Sequence, residues 1–248
     1  MRYFLTKINK VIKRNIKQFK YRPIRVFCLH QISDEHDQFS CYDCDWIQKS
    51  KFESFIKSCQ GKYVFISLLE AERKIKSDLF RCRNYAVLTA DDGYNSIIDV
   101  LPWLEERNIP ITLFLNVKYL DGNSLSQHMI DLVESQKGTI DKLDKLYITM
   151  PQLSEICKYS NVSIASHGFE HIDATKLGKN EFQQQIAKNI EVLKQYPNFV
   201  PFHAYTWGRH NCDTDSVVFA NGLTPVLMDG NPNYSDKYFI HRELPQIK

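Results

Sequence analysis

No apolar run in this chain approaches the roughly 20 residues that a membrane-spanning helix needs, so a bilayer-crossing protein is not expected. An uninterrupted apolar leader is missing too, because Lys7, Lys10, Lys13 and Arg14 break up the first turns, and no cleaved signal peptide is expected. Acidic residues are absent from Met1–Arg25, which holds nine Lys and Arg. The formal net charge over all 248 residues is nonetheless only +3, too small to point to nucleic acid. Cysteine lacks pattern rather than number. The seven are odd in count, and Cys41-Tyr42-Asp43-Cys44 has no second pair with which to make a zinc ribbon. Reduced thiols in a cytoplasmic protein are the expectation. No repeat, low-complexity tract or linker divides the sequence, so a single domain is expected over residues 23–248.

What is present begins with a basic amphipathic stretch. Residues 1–22 place Phe4, Leu5, Ile8, Val11, Ile12, Ile16 and Phe19 on one helical face with cations around the other. Such a helix packs on its own protein or lies on an anionic membrane surface, and periodicity does not choose between them. After Pro23 the chain alternates. Strands are expected at Ile24–His30, Tyr63–Ile66, Tyr85–Thr89, Ile111–Leu115, Val162–Ala165, Val200–Tyr205, Thr224–Leu227 and Tyr238–Ile240. Between them lie helices opened by Ser50-Lys51-Phe52-Glu53, Ser67-Leu68-Leu69-Glu70 and Thr149-Met150-Pro151-Gln152, each with a capping-box pattern. Further helices are expected at Ser96–Arg107, bent at Pro102, and at Lys179–Gln195 and Cys212–Asn221. Residues 119–148 show no clean period and read as an insertion or lid. Seven or eight strand–helix units predict an α/β fold with a parallel sheet, closed as a barrel more than left open.

Barrel sites lie at the carboxyl ends of strands, and the reactive side chains cluster there. Val87-Leu88-Thr89-Ala90 runs straight into Asp91-Asp92-Gly93-Tyr94. Alone, Asp-Asp-Gly is ordinary turn chemistry. Neighbouring aspartates at a strand end also point in different directions, so one can face a metal and the other a water. The strand at Val162–Ala165 ends in Ser166-His167-Gly168-Phe169-Glu170-His171, whose two histidines at i and i+4 reach one ion. One carboxylate and two imidazoles make the open coordination shell of a hydrolytic metal. His36, His128, His203 and His210 have no partner pattern and read as surface or structural. Val87, Leu88, Leu113, Leu115 and Ile164 read as core.

At these residues the chain resembles the NodB-like polysaccharide deacetylases, carbohydrate esterase family 4, from about Ile24 onward. Thr89-Ala90-Asp91-Asp92-Gly93 is similar to that family's Thr-Phe-Asp-Asp-Gly, and Ser166–His171 to its Ser/Thr-His-x-x-x-His. Pro201-Phe202-His203-Ala204-Tyr205-Thr206-Trp207-Gly208 is similar to its third motif. The resemblance implies a distorted (β/α)7 barrel, with Asp91 as general base and Asp92, His167 and His171 as ligands of a divalent metal, zinc first. Where the family keeps an arginine beside the base, this chain has Ala204. Arg242, in His241-Arg242-Glu243-Leu244-Pro245, is the favoured substitute over Arg209. Phe27-Cys28-Leu29-His30 resembles the first strand of the permuted poly-N-acetylglucosamine deacetylase branch, which makes His30 the expected general acid, ahead of His241. Tyr205 and Trp207 are expected to stack on a sugar ring, or else to be core.

The implied activity is removal of an N-acetyl group from an amino sugar of a polysaccharide or lipid-linked glycan precursor. The basic N-terminus places such work in the cytoplasm, at the inner membrane face by peripheral contact through residues 1–22. A deformylase or O-deacetylase on the same kind of site is the alternative. An inactive glycan-binding relative is another, motivated by Ala204. No nucleic-acid partner is expected.

Overall fold

A computed structural model describes residues 22–34, 46–77, 81–135 and 146–247. The helix expected over residues 1–22, apart from its last residue, falls outside them. So do the Cys41–Cys44 pair, His36 and positions 136–145 of the expected insertion.

Seven parallel strands form the barrel: β1 (Ile24–Leu29), β5 (Tyr85–Ala90), β6 (Ile111–Leu115), β7 (Val162–Ser166), β8 (Phe199–Ala204), β9 (Thr224–Met228) and β10 (Ile240–Arg242), paired in that order. The short β4 (Val64–Phe65) adds to the amino end of β5, while β2 (Ile32–Ser33) and β3 (Ile47–Gln48) pair apart from it. Alternation along the strands makes two apolar layers. Phe27, Leu29, Leu88, Leu113, Leu115 and Ile164 belong to the cluster shared with the surrounding helices. Val26, Val87, Phe114, Ala165, Phe202, Ala204, Val226 and Ile240 make a second cluster, joined by Leu68, Ala71 and Ile75 of the helix that follows β4.

The helices follow their apolar spacing. In α1 (Lys49–Gln60) Phe52, Ile56 and Cys59 are buried at i, i+4, i+7. It starts on Gln48 with no side-chain cap, so the box expected at Ser50 does not form; pairing of Ile47–Gln48 with β2 sets the start instead. Ser67 does cap α2 (Leu68–Lys76), accepting from the Glu70 N–H. Thr149 and Gln152 make a full capping box on α5 (Met150–Ile156). The helix expected at Ser96–Arg107 is divided: a 3-10 turn, Asn95–Val100, precedes α3 (Leu101–Glu105). Pro102 lacks the N–H that would bond the Ile98 carbonyl and is accommodated only in a first helical turn. The 119–148 stretch contains α4 (Gln127–Ser135), whose buried Met129 and Val133 lie four apart and whose first turn is capped by Ser126 Oγ, accepting from Met129 N–H at 3.2 Å. Helices α6 (Lys179–Leu193) and α7 (Cys212–Ala220) lie where expected. The last strand begins two residues late, because Asp236 Oδ1 accepts from the N–H groups of Tyr238 and Phe239 and holds them in a turn.

Closure of the ring joins its two most distant strands. Glu243, just past β10, accepts from Cys28 N–H at 2.9 Å and donates to the Val26 carbonyl at 3.0 Å. Its side chain pairs with Arg25. Asn233, fully buried, is stitched to both sides: its amide donates to the Ile24 and His241 carbonyls and its oxygen accepts from His241 N–H. Asn233→Ala removes the side-chain partner of both the His241 N–H and the His241 carbonyl, while the Ile24 carbonyl keeps the backbone N–H of residue 233. It is expected to destabilise by about 2–4 kcal/mol, read as a lower urea midpoint at an unchanged m-value; a loss under about 0.5 kcal/mol would show the seam does not need it.

Candidate active site and metal centre

The site forms where β1, β5, β7, β8 and β10 end. Asp91 N–H donates to the Leu29 carbonyl at 2.9 Å, extending the β1–β5 pairing one residue. Asp92 and Gly93 then both take left-handed backbone, at φ 67° and 74°. Aspartate is among the few side chains that accept this region at modest cost. The reversal sends the two carboxylates in different directions.

Asp91 is buried and held by Arg242 in a bidentate pair, Nη1–Oδ1 at 2.6 Å and Nη2–Oδ2 at 2.8 Å. Arg242 Nη1 also donates to Thr89 Oγ1 at 3.2 Å, and its guanidinium lies 5.1 Å from the centre of the Phe114 ring. Burial alone would raise the Asp91 pKa. The guanidinium, with His167 and His30 behind it, outweighs that and holds the carboxyl below its ordinary value. Arg209 is engaged elsewhere, with Asp173 at 2.7 Å.

Asp92 faces His167 and His171. Its Oδ1 lies 3.1 Å from His167 Nε2 and 3.3 Å from His171 Nε2, yet this buried oxygen makes no well-aligned hydrogen bond. Three ligand-type atoms crowd together without bonding one another. A tetrahedral shell with bonds of about 2.0–2.2 Å sets its ligand atoms roughly 3.3–3.6 Å apart. These residues therefore fit a divalent ion. The ring of His167 is oriented for that use: its Nδ1–H donates to the Ala204 carbonyl at 2.8 Å, so that Nε2 faces Asp92 and is the lone-pair nitrogen of the neutral ring. Asn116 donates to the carbonyls of His167 and Gly168, and Asn189 to Ser166 Oγ, fixing the loop that carries both histidines.

A cleft of about 270 Å³ opens onto both centres, and His30, Trp207 and His128 border it. His30, Cys28 and Asp91 bring their polar atoms within 4.8 Å of one another. His241 is turned away, between Asp229 at 2.8 Å and Asp236 at 3.3 Å. Trp207 keeps a left-handed backbone (φ 53°), is 44% exposed and sets its ring against His171 at 4.5 Å, nearly perpendicular. Tyr205 lines the cleft but is buried, which fits the second of its two expected readings, core. Its ring is enclosed between His203 and His210, and its hydroxyl donates to Asp215 Oδ1 at 2.7 Å, so it anchors the loop. His203 is structural as expected: buried beside Ser166 Oγ, its pKa is driven down to about 3 and it stays neutral. His128 is exposed, as a surface residue, and it also borders the cleft. It reaches the cleft from α4, in a stretch whose sequence carries no period. Cys28 was legible in principle, since it stands two residues before His30 and shares its strand face.

The profile of the family described as polysaccharide deacetylase matches residues 81–226, more than half of the chain. The chain belongs to that family. Carbohydrate deacetylation is thus its general chemistry. The matched residues hold Asp91, Asp92, His167 and His171, while His30 and Arg242 come from outside them. No curated protein matches the sequence. Among solved structures, IcaB from Ammonifex degensii superposes with a TM-score of 0.70 at 17% identity, over 90% of this chain and 91% of that one. The Streptococcus pyogenes deacetylase PplD in complex with acetate gives 0.72 at 16%, over 91% and 94%. The deacetylase domain of BpsB from Bordetella bronchiseptica gives 0.66 at 20%, over 90% and 95%. Likeness at these identities shows a shared fold, the NodB-type (β/α)7 barrel.

Two outcomes are expected from the geometry. Asp92→Ala, His167→Ala and His171→Ala should each lower zinc affinity of the metal-free protein by at least about tenfold in equilibrium dialysis, while His241→Ala should not. Arg242→Met leaves a buried carboxylate unpaired and should cost about 3–5 kcal/mol of stability. Adding Asp91→Asn should recover part of that loss in chemical denaturation; purely additive losses would show that the pair is not coupled.

Proposed function

We propose that the chain is a metal-dependent N-deacetylase of an amino sugar within a polysaccharide or lipid-linked glycan precursor. The observation that carries this reading is the separation of two adjacent aspartates, one paired with a buried arginine and one turned to two histidines. A divalent ion, zinc first, bound by Asp92, His167 and His171 supplies a lowered pKa for bound water and polarisation of the amide carbonyl.

The remaining work falls to the protein's own groups. Asp91 takes the proton of the attacking water, and Arg242 keeps that carboxylate ionised and fixed in direction. Bidentate pairing uses one acceptor site on each Asp91 oxygen and the Cys28 thiol donates to Oδ2 at 3.5 Å, which leaves Oδ1 with a further acceptor site for the water. His30 gives a proton to the departing nitrogen, which an amide requires because an unprotonated amine leaves poorly. Trp207 offers an indole face to the sugar. Arg242 also removes the motive for reading the chain as an inactive binder, since the base does have an arginine, supplied by another strand. Peripheral membrane contact through residues 1–22, and with it a place at the inner membrane face, remains part of the proposal.

The test is release of acetate from a panel of N-acetylated sugars with zinc restored. Asp91→Asn and His30→Ala are each expected to lower kcat by about 10²–10⁴-fold. Full activity in Asp91→Asn would sink the mechanism. Formate release without acetate would move the assignment to a deformylase, and acetate release from O-acetylated sugars alone would move it to an esterase.

A further inference from the structure

The cleft is walled on one side and continued on the other. The wall is α4. His128 lies over His171 at 5.8 Å between ring centres and meets Trp207 edge-on at 5.6 Å; Met129 and Leu132 face the cleft beside it. Behind the wall, Tyr94, Tyr147 and Tyr119 stack in series at 5.6 and 5.4 Å, and Tyr147 shares a hydrogen bond with Ser126, the cap of α4. The backbone flanking Tyr147 is bonded to the aspartate loop itself: Asn95 N–H donates to the Leu146 carbonyl and Ile148 N–H to the Gly93 carbonyl, both at 2.8 Å. The wall and the metal centre are therefore one packed unit.

Across the cleft, His30 and Leu244 also border a second cavity, of about 300 Å³. It lies between the start of α1 and the segment after β10. An indole (Trp46), an amide (Gln48), an ammonium (Lys51) and Pro245 line it, with no carboxylate among the described residues of its lining. Trp46 Nε1 donates to Ser33 Oγ at 2.7 Å, which fixes the plane of its ring. Aromatic face, amide and cation together suit a sugar ring, apolar on one face and hydroxylated at its edge.

The chemistry gives this cavity a direction. When an N-acetyl group is cleaved, the C–N bond breaks, water oxygen goes to the acetate, and the nitrogen stays on the sugar with an added proton. Under the proposed function that proton comes from His30, so the sugar stands on the His30 side and its neighbours extend past His30. That is the side on which the cleft continues past His30 and Leu244, while on the other α4 narrows it with His128 against Trp207. We infer that the protein acts on the terminal N-acetylated sugar of a glycan, with the adjoining sugar held in the cavity that Trp46 and Pro245 line. This rests on the deacetylase reading and adds to it a site and a position along the chain.

The experiment uses the full chain with zinc and N-acetylglucosamine oligomers of one to four residues, labelled at the reducing end and mapped by tandem mass spectrometry. Expected is loss of one acetyl group from one terminal residue. In addition, kcat/KM should rise about tenfold, equivalent to about 1.4 kcal/mol, from monosaccharide to disaccharide and level off beyond. Trp46→Ala should erase the difference between disaccharide and monosaccharide, and Trp46→Phe should retain most of it. Acetyl loss from internal residues, or equal kcat/KM for one and two sugars, overturns the inference while leaving the deacetylase reading intact. Acetyl loss from none of the four, and from none of the wider panel of N-acetylated sugars, overturns the deacetylase reading itself.

Discussion

The bidentate pair between Arg242 and Asp91 is the constraint to which the rest of the site answers. Both groups are out of water, where either charge alone would cost several kcal/mol. Each is tolerable only because the other stands at hydrogen-bonding distance on both oxygens. That requirement reaches outward. Arg242 must come from β10 and Asp91 from the end of β5, so the two strands have to be held at a set separation. Thr89, directly below on β5, takes a further Arg242 proton and passes its own to the Phe27 carbonyl of β1. Three strands are thereby fixed by one guanidinium.

Asp92 is governed by the opposite principle. Its Oδ1 is buried beside two imidazole nitrogens and satisfied by neither. Adjacent residues thus occupy contrary environments, one saturated with donors and one short of them. The left-handed turn at Asp92 and Gly93 makes this possible by reversing the chain in a single step. A side chain on Gly93 would press on Leu115 at 3.0 Å in addition to the backbone cost. The same loop receives Ile148 N–H from the stretch after α4, so the local reversal is locked by a segment distant in sequence.

Much of this was legible in the residues. Buried parallel strands announce themselves as apolar runs, and Ile111–Leu115 was bounded correctly because nothing polar interrupts it. The Asp pair and the i, i+4 histidines were legible because their chemistry demands those types at strand ends. Favouring Arg242 over Arg209 rested on little more than the need for some cation, and only three-dimensional closure places it beside Asp91. What could not be read was anything carried by a surface of mixed origin. His128 reaches the cleft because Met129 and Val133 on its helix find a tyrosine stack contributed by three separate loops. For Tyr205 the choice between sugar platform and core depended on the carboxylate that claims its hydroxyl, which stands on α7. Ser50 and Glu53 had capping-box spacing, and the pairing of β3 with β2 overrode it.

The barrel seam has a consequence for how the molecule is made. Arg25 and Glu243, which face each other across it, are 218 positions apart. Strand β1 is therefore made 218 positions ahead of its closing partner and until then has one edge unmatched, while Asp91 waits 151 positions for its counter-charge. Contacts of such long sequence separation form slowly, since loop-closure entropy is spent before they repay it. Nascent chains that stop short of β10 lack the closing strand and the guanidinium together, so an incomplete copy has no half-working site to offer. The Asp91–Arg242 pair is complete only once β10 is in place.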